Sequence, residues 1–178
     1  MNLADPRTAL NELVTVITAM QLPVDPFGAG KLAFDKVKIF DLQDLVKAME
    51  ELFLYANRIA LIGLDSVDHA NVVSGRTLKT QRSLSISVIV SDRRFSDRRK
   101  ALMGDATTPG ALLLGKLLVD TLSELPSGAV VLPGTGRLAS LESREDQTGR
   151  IVFAQDFEIA TDWEAVSLSR IAKVAPAS

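Results

Sequence analysis

Between positions 84 and 91 the even residues are aliphatic (Leu84, Ile86, Val88, Val90), and serine occupies 83, 85, 87 and 91. A period of two marks a strand with one buried and one polar face. Only Ile89 breaks the polar face. An arginine-rich insert follows, then a helix predicted over 109–122 and a short strand over 129–132. Thr107 or Thr108 is available as N-cap, with Pro109 at the first helical position, where a missing N–H costs nothing. Leu112, Leu113, Leu117, Leu118 and Leu122 give the helix a broad apolar face, with Lys116 and Asp120 outside it. Strand, helix and strand form the core unit around which the chain is organised.

Upstream, Asp5 and Pro6 read as N-cap and first residue of an amphipathic helix carrying Leu10, Leu13, Val14, Ile17 and Met20. Pro23, Pro26, Gly28 and Gly30 make 21–31 a loop. A short strand is expected within 33–40, with Val37 and Ile39 flanked by Lys36 and Lys38. Asp41 then caps a second helix to about Tyr55, with Leu45, Met49, Leu52 and Phe53 inward. The apolar run 59–64 predicts a central strand covered on both faces. Residues 65–75, His69 among them, read as a polar loop ending in the turn signal Ser74-Gly75. A strand from near Arg76 to Ser91 would extend about 50 Å. Part of it would leave a compact core, as one arm of a protruding hairpin or as a reach to a neighbour. After a turn at Pro133-Gly134-Thr135-Gly136, a hairpin is expected from 138–144 and 150–161. Ile151, Phe153, Phe157 and Ile159 take one side and Asp156 and Glu158 the other, with a bulge expected at Gln155-Asp156. The expected fold is therefore α/β in the α+β sense: a mixed, mainly antiparallel central sheet flanked by helices, with a long strand or hairpin extension. One domain over 1–164 and a C-terminal arm over 165–178 complete the expectation.

The chain has no cysteine and one histidine, which excludes disulfides, thiolate sites and a cysteine nucleophile and removes most metal centres. No apolar run reaches the roughly 18 residues of a membrane span, so a soluble protein made in the cytoplasm, with no membrane partner, is expected. Gly28-Ala29-Gly30-Lys31 fails as a phosphate loop, because Asp25 stands where the first glycine belongs and Leu32 where Ser or Thr belongs. Gly134-Thr135-Gly136 opens no helix and is a turn. The acidic pairs Asp44 with Glu50 and Glu142 with Glu145 lack sugar-stacking aromatics, which make up only 5% of the chain. No catalytic set and no cofactor is expected.

Charge is unevenly spread. Residues 76–100 carry eight basic residues against two acids, and 138–164 carry seven acids against two arginines. Such blocks pair within a subunit or across a heterologous interface, as a ring would require. Within the basic block, Ser91-Asp92-Arg93-Arg94-Phe95 is nearly repeated as Ser96-Asp97-Arg98-Arg99-Lys100. Each aspartate is placed to cap a turn while its arginines project, with Phe95 as an apolar anchor. A solvated loop, a protein contact and a DNA-phosphate contact are all compatible with this knuckle, although base-reading and stacking residues are lacking. The candidate interface residues are Arg93, Arg94, Phe95, Arg98, Arg99 and Lys100 on the basic side and Glu142, Glu145, Asp146, Asp156 and Glu158 on the acidic side.

The strand over 84–91, the loop to Gly110, the helix GALLLGKLLVDTL and the segment RLASLESREDQTGRIVFAQDFEIAT together resemble the tail terminator proteins of long-tailed bacteriophages. The likeness is to the minor tail protein family of Mu-like phages and prophages, and it covers about residues 58–161. The doubled SDRR insert has no counterpart in it. The resemblance implies a virion protein of the tail, assembled in the host cytoplasm. It also implies a homo-hexameric ring of α/β subunits at the head-proximal end of the tube, which stops tube polymerisation and takes part in head-tail joining. The implied partners are the tail tube protein and the head-tail connector protein, with proximity to packaged DNA left open. The alternative is a nucleic-acid-associated or small-ligand-binding α/β module using the cluster from Arg93 to Lys100.

Overall fold

The alternation that opens the sequence builds the centre of the sheet. In a computed structural model, which describes residues 6–40, 56–74, 77–93, 97–125, 129–131, 134–142, 149–162 and 166–167, β3 (Thr77–Asp92) runs antiparallel to β2 (Arg58–Ser74) on one side and β6 (Gly149–Asp162) on the other. β1 (Lys36–Phe40) adds parallel to β2. At the far side β4 (Ala129–Val131) and β5 (Arg137–Glu142) share the outer edge of β6, β4 pairing its C-terminal half and β5 its N-terminal half. β7 (Val166–Ser167) pairs with Leu78 and Thr77 of β3. The helices among the described residues are α1 (Pro6–Ala19), a short turn α2 (Val24–Phe27), α3 (Arg98–Met103) and α4 (Gly110–Ser123). This is a mixed, mostly antiparallel open sheet with helices, as expected.

Leu84, Ile86, Val88 and Val90 of β3 lie in the main core with Ala60 and Ile62 of β2, Phe157 and Ile159 of β6, and Leu13 and Ile17 of α1. α4 contributes Leu114, Leu118 and Leu122, each fully buried and worth about 1.5–3 kcal/mol of apolar burial. Its buried stripe thus runs through Ala111, Leu114, Gly115, Leu118 and Leu122, a three-and-four spacing. Leu114, outside the expected face, is central to it, and Leu112 is 37% exposed. Gly115 sets the approach to the sheet: a Cβ there would stand 2.4 Å from Phe153 Cδ1. β3 and β4 lie in one sheet but are not neighbours, because β6 lies between them and pairs with both.

Residues 59–63 are buried on both faces as expected, but Leu64 at the end of the predicted run is 38% exposed. Ile59 and Leu61 belong to a second cluster with Phe40, against which Ala56 and Ile89 pack. Ile89 is apolar for that reason. Three expectations are corrected. The polar stretch from Asp65 is strand, not loop: β2 continues through Ser74 in register with β3, and His69 stands opposite Arg82. Pairing along a ribbon satisfies the backbone without requiring apolar side chains. No bulge occurs at Gln155-Asp156, since β6 keeps one register along β3; the irregularity falls between Leu64 and Ser66. Gln155 stays on the apolar side of β6 and donates to Thr135 Oγ1 at 2.6 Å. Neither Thr107 nor Thr108 caps α4. The helix expected over 41–55, Asp5, and most of the C-terminal arm lie outside the described residues.

Candidate interaction surface

The basic insert leaves the sheet at Ser91 and Asp92, both fully buried at the end of β3. Ser91 Oγ donates to the Ile151 carbonyl at 2.9 Å. Asp92 Oδ2 accepts the Gly110 N–H at 3.0 Å, so the last residue of a strand supplies the acceptor for the start of α4. Gly110 has φ +73°, and a Cβ would lie 2.4 Å from Gly104 N, so only glycine fits. Arg150 is 3% exposed and sends Nη1 to the Asn57 carbonyl at 2.8 Å and Nη2 to the Ala56 carbonyl. Burial pushes the Asp92 carboxyl above its ordinary value, against the Gly110 hydrogen bond and the charges of Arg93, Arg58 and Arg150.

Past this base, Arg93 and residues 97–100 are exposed. Arg93 has φ +44°, and its N–H reaches the Asn57 carbonyl at 2.6 Å. Arg94 and Phe95 lie outside the described residues. The second half of the repeat starts a helix, its aspartate capping as expected: Asp97 is the N-cap of α3 and accepts from the Arg99 and Lys100 amides at 2.9 and 3.3 Å. Arg98, Arg99 and Lys100 are exposed. Arg98 Nη2 donates to Ser140 Oγ on β5 at 3.1 Å, and Lys100 stands 3.6 Å from Asp105. Asp105 also accepts from the Thr107 and Thr108 amides at 2.8 and 2.9 Å, and the Thr107 hydrogen bonds hold its carboxyl down at about 2.

Of the acidic candidates, Asp156 is half-buried on β6 and pairs with Arg137 of β5 at 3.2 Å. Glu158 is half-buried on the same strand, opposite Val130 of β4 and Ser85 of β3. Glu142 ends β5, and its side chain, like all of Glu145 and Asp146, lies outside the described residues. The structure therefore brings the basic helix start beside β5 through Arg98 and Ser140, and sets Asp156 against Arg137. The buried charges Asp92 and Arg150 were counted in the sequence as members of the two surface blocks. The signal that separates them is position: each sits at the inner end of a strand already read as core.

Among the described residues, no group of three or more His, Cys, Asp or Glu side chains is placed to hold a metal ion. No helix among them is long and apolar enough to cross a membrane. Compared with models of known protein families and with curated proteins, the sequence matches none.

Proposed function

We propose that this protein is a structural virion protein, a tail terminator that closes the head-proximal end of a phage tail tube as a ring and takes part in joining tail to head. The observation that carries the reading is the β2–β3 ribbon on an open sheet. Beyond Gly63, where β1 stops, β2 continues from Leu64 to Ser74 with only β3 beside it among the described residues, a free strand edge of about 35 Å; β6 flanks β3 as far as Gln81, opposite Ala70, so the ribbon outruns both β1 and β6 from Asn71 to Ser74. A free edge of that length is a surface for contact with a neighbour or a tube end. The resemblance over 58–161 names the assembly in which such a contact would serve, as a hexamer meeting tail tube protein on one face and connector on the other.

Mass in solution, by light scattering across protein and salt concentration with and without tail tube protein, tests the reading. A closed oligomer, formed alone or on tube ends, with tube growth arrested, is the expected result. A monomer that ignores tube protein overturns it. If that monomer binds DNA with an affinity that falls steeply with salt, the phosphate-binding alternative through the Arg98 surface replaces it.

A further inference from the structure

The outermost strands of the sheet, β1 on one side and β5 on the other, are of nearly equal length, and each carries an apolar side chain that its own subunit leaves in solvent. On β1, five residues long, Ile39 is 43% exposed; on β5, six residues long, Leu138 is 50% exposed. Ile39 stands in register with Ile62 and Leu138 with Phe153, both on the face that carries the main core. Among the described residues β1 pairs only with β2, and β5 only with β6. Unpaired edges of this kind are templates for another strand.

From these observations we propose that copies of this chain join edge to edge, β1 of one copy pairing with β5 of the next. Strand direction supports the pairing. β1 is parallel to β2, and three antiparallel steps through β3 and β6 leave β5 antiparallel to β1. A second copy related by rotation, with its sheet continuing in the same sense, therefore presents β1 antiparallel to β5. Keeping core face with core face, the register that pairs all of β1 sets Lys36 against Leu141, Val37 against Ser140, Lys38 against Ala139, Ile39 against Leu138 and Phe40 against Arg137. The two exposed apolar residues meet.

The occupant is a second copy offering its other edge, not the same edge. Full antiparallel pairing of β1 with β1 would set Lys38 against Lys38, a like-charge pair directly opposite in the ladder. Pairing two different edges is heterologous and closes into a ring when the rotation per step permits. The inference deepens the proposed ring and rests on it for the assembled state.

The absence of cysteine makes the test clean. Directly opposed residues in an antiparallel ladder have Cα atoms about 4.5–5.5 Å apart, within disulfide reach. Ile39→Cys and Leu138→Cys are prepared singly and together, mixed with tail tube protein, and oxidised. The expected result is a cross-linked dimer when the two single variants are mixed, none from either alone, and a ladder of multimers from the double variant. Cross-linking of Ile39→Cys with itself overturns the pairing. An assembled oligomer that does not cross-link overturns the pairing and leaves the ring reading standing, and a monomer overturns both. As a second readout, Leu138→Lys is expected to weaken association about tenfold or more, equivalent to about 1.4 kcal/mol. Leu112→Lys, on an exposed position of α4, leaves association unchanged. Equal effects from the two lysines overturn the assignment of the edge.

Discussion

The two halves of the SDRR repeat are the same four residues, and their aspartates occupy opposite environments. Ser91 and Asp92 are buried at the end of β3, with Asp92 bonded to Gly110 across the sequence; Asp97, five residues later, is an exposed N-cap bonded to its own helix. In both, the aspartate accepts backbone N–H groups, which is what its short acidic side chain does best. What differs is the element that precedes each copy. A strand delivers the first aspartate to the sheet interior, whereas the insert delivers the second to the surface. The first copy is therefore the base of the insert, and the second is its presented face.

The largest expected effect lies at the base. Arg150→Ala removes a buried guanidinium that binds the Ala56 and Asn57 carbonyls and leaves Asp92 with less opposing charge. A loss of about 2–5 kcal/mol is expected in urea denaturation, because two carbonyls lose their donor in a buried site at about 1–3 kcal/mol each. A loss below about 1 kcal/mol would erase the distinction between base and face.

Asp92→Ala comes next, at about 1–3 kcal/mol, because the Gly110 N–H loses its acceptor in a buried site. Asp92→Asn keeps an acceptor oxygen and removes the titration, so it sharpens the comparison through pH. Folded Asp92 holds its proton more tightly than the unfolded chain does. Its effect on stability is therefore most favourable below the ordinary aspartate range near about pH 4 and declines as pH rises through the raised folded value. Asp92→Asn should lack that decline. Asp105 and Asp35 run the other way. Burial raises Asp35, but the Arg58 side chain and amide outweigh it and hold the carboxyl below its ordinary value; Asp105 is held at about 2. Their contributions are present above about pH 4 and are lost as pH falls through the lowered values, so the two windows are separable in one titration of wild type against Asp92→Asn.

Much of this architecture was legible because periodicity reports burial directly. Leu84, Ile86, Val88 and Val90 of β3, the doubly buried run 59–63, α1 and the β5–β6 hairpin all follow from spacing of apolar side chains. The stretch from Asp65 to Ser74 was not legible as strand, since its sequence lacks the apolar–polar alternation of a half-buried face, whereas what defines it as strand is its backbone register with β3. The split roles of the repeat were hidden for a related reason. Asp92 and Asp97 have almost identical neighbours, and what separates them is the partner: Gly110, distant in sequence, for Asp92, and the amides of its own helix start for Asp97. The position of β6 between β3 and β4 is likewise a matter of topology, which local patterns do not encode.

The face predicts smaller effects on stability and larger ones on assembly. Asp97→Ala removes the acceptor for two amides at the start of α3 and is expected to lose about 1 kcal/mol, read in the same denaturation series.

Arg98→Glu with Arg99→Glu should change stability least, by about 0.5 kcal/mol or less, because both side chains are exposed and their surface contacts are individually weak. Under the proposed function the same double reversal weakens ring closure or partner docking, since it inverts the charge of the presented face beside β5. The Arg98 contact to Ser140 ties that face to the edge proposed to meet the next copy, so a loss should appear in the oligomer mass before it appears in the denaturation curve. Unchanged mass together with normal tail joining in this variant would remove the insert from the assembly mechanism and leave Asp92 and Arg150 as its structural remainder. A large loss of stability instead would show that the two halves of the repeat are not base and face at all, and the contrast drawn from their burial would fail at its exposed end.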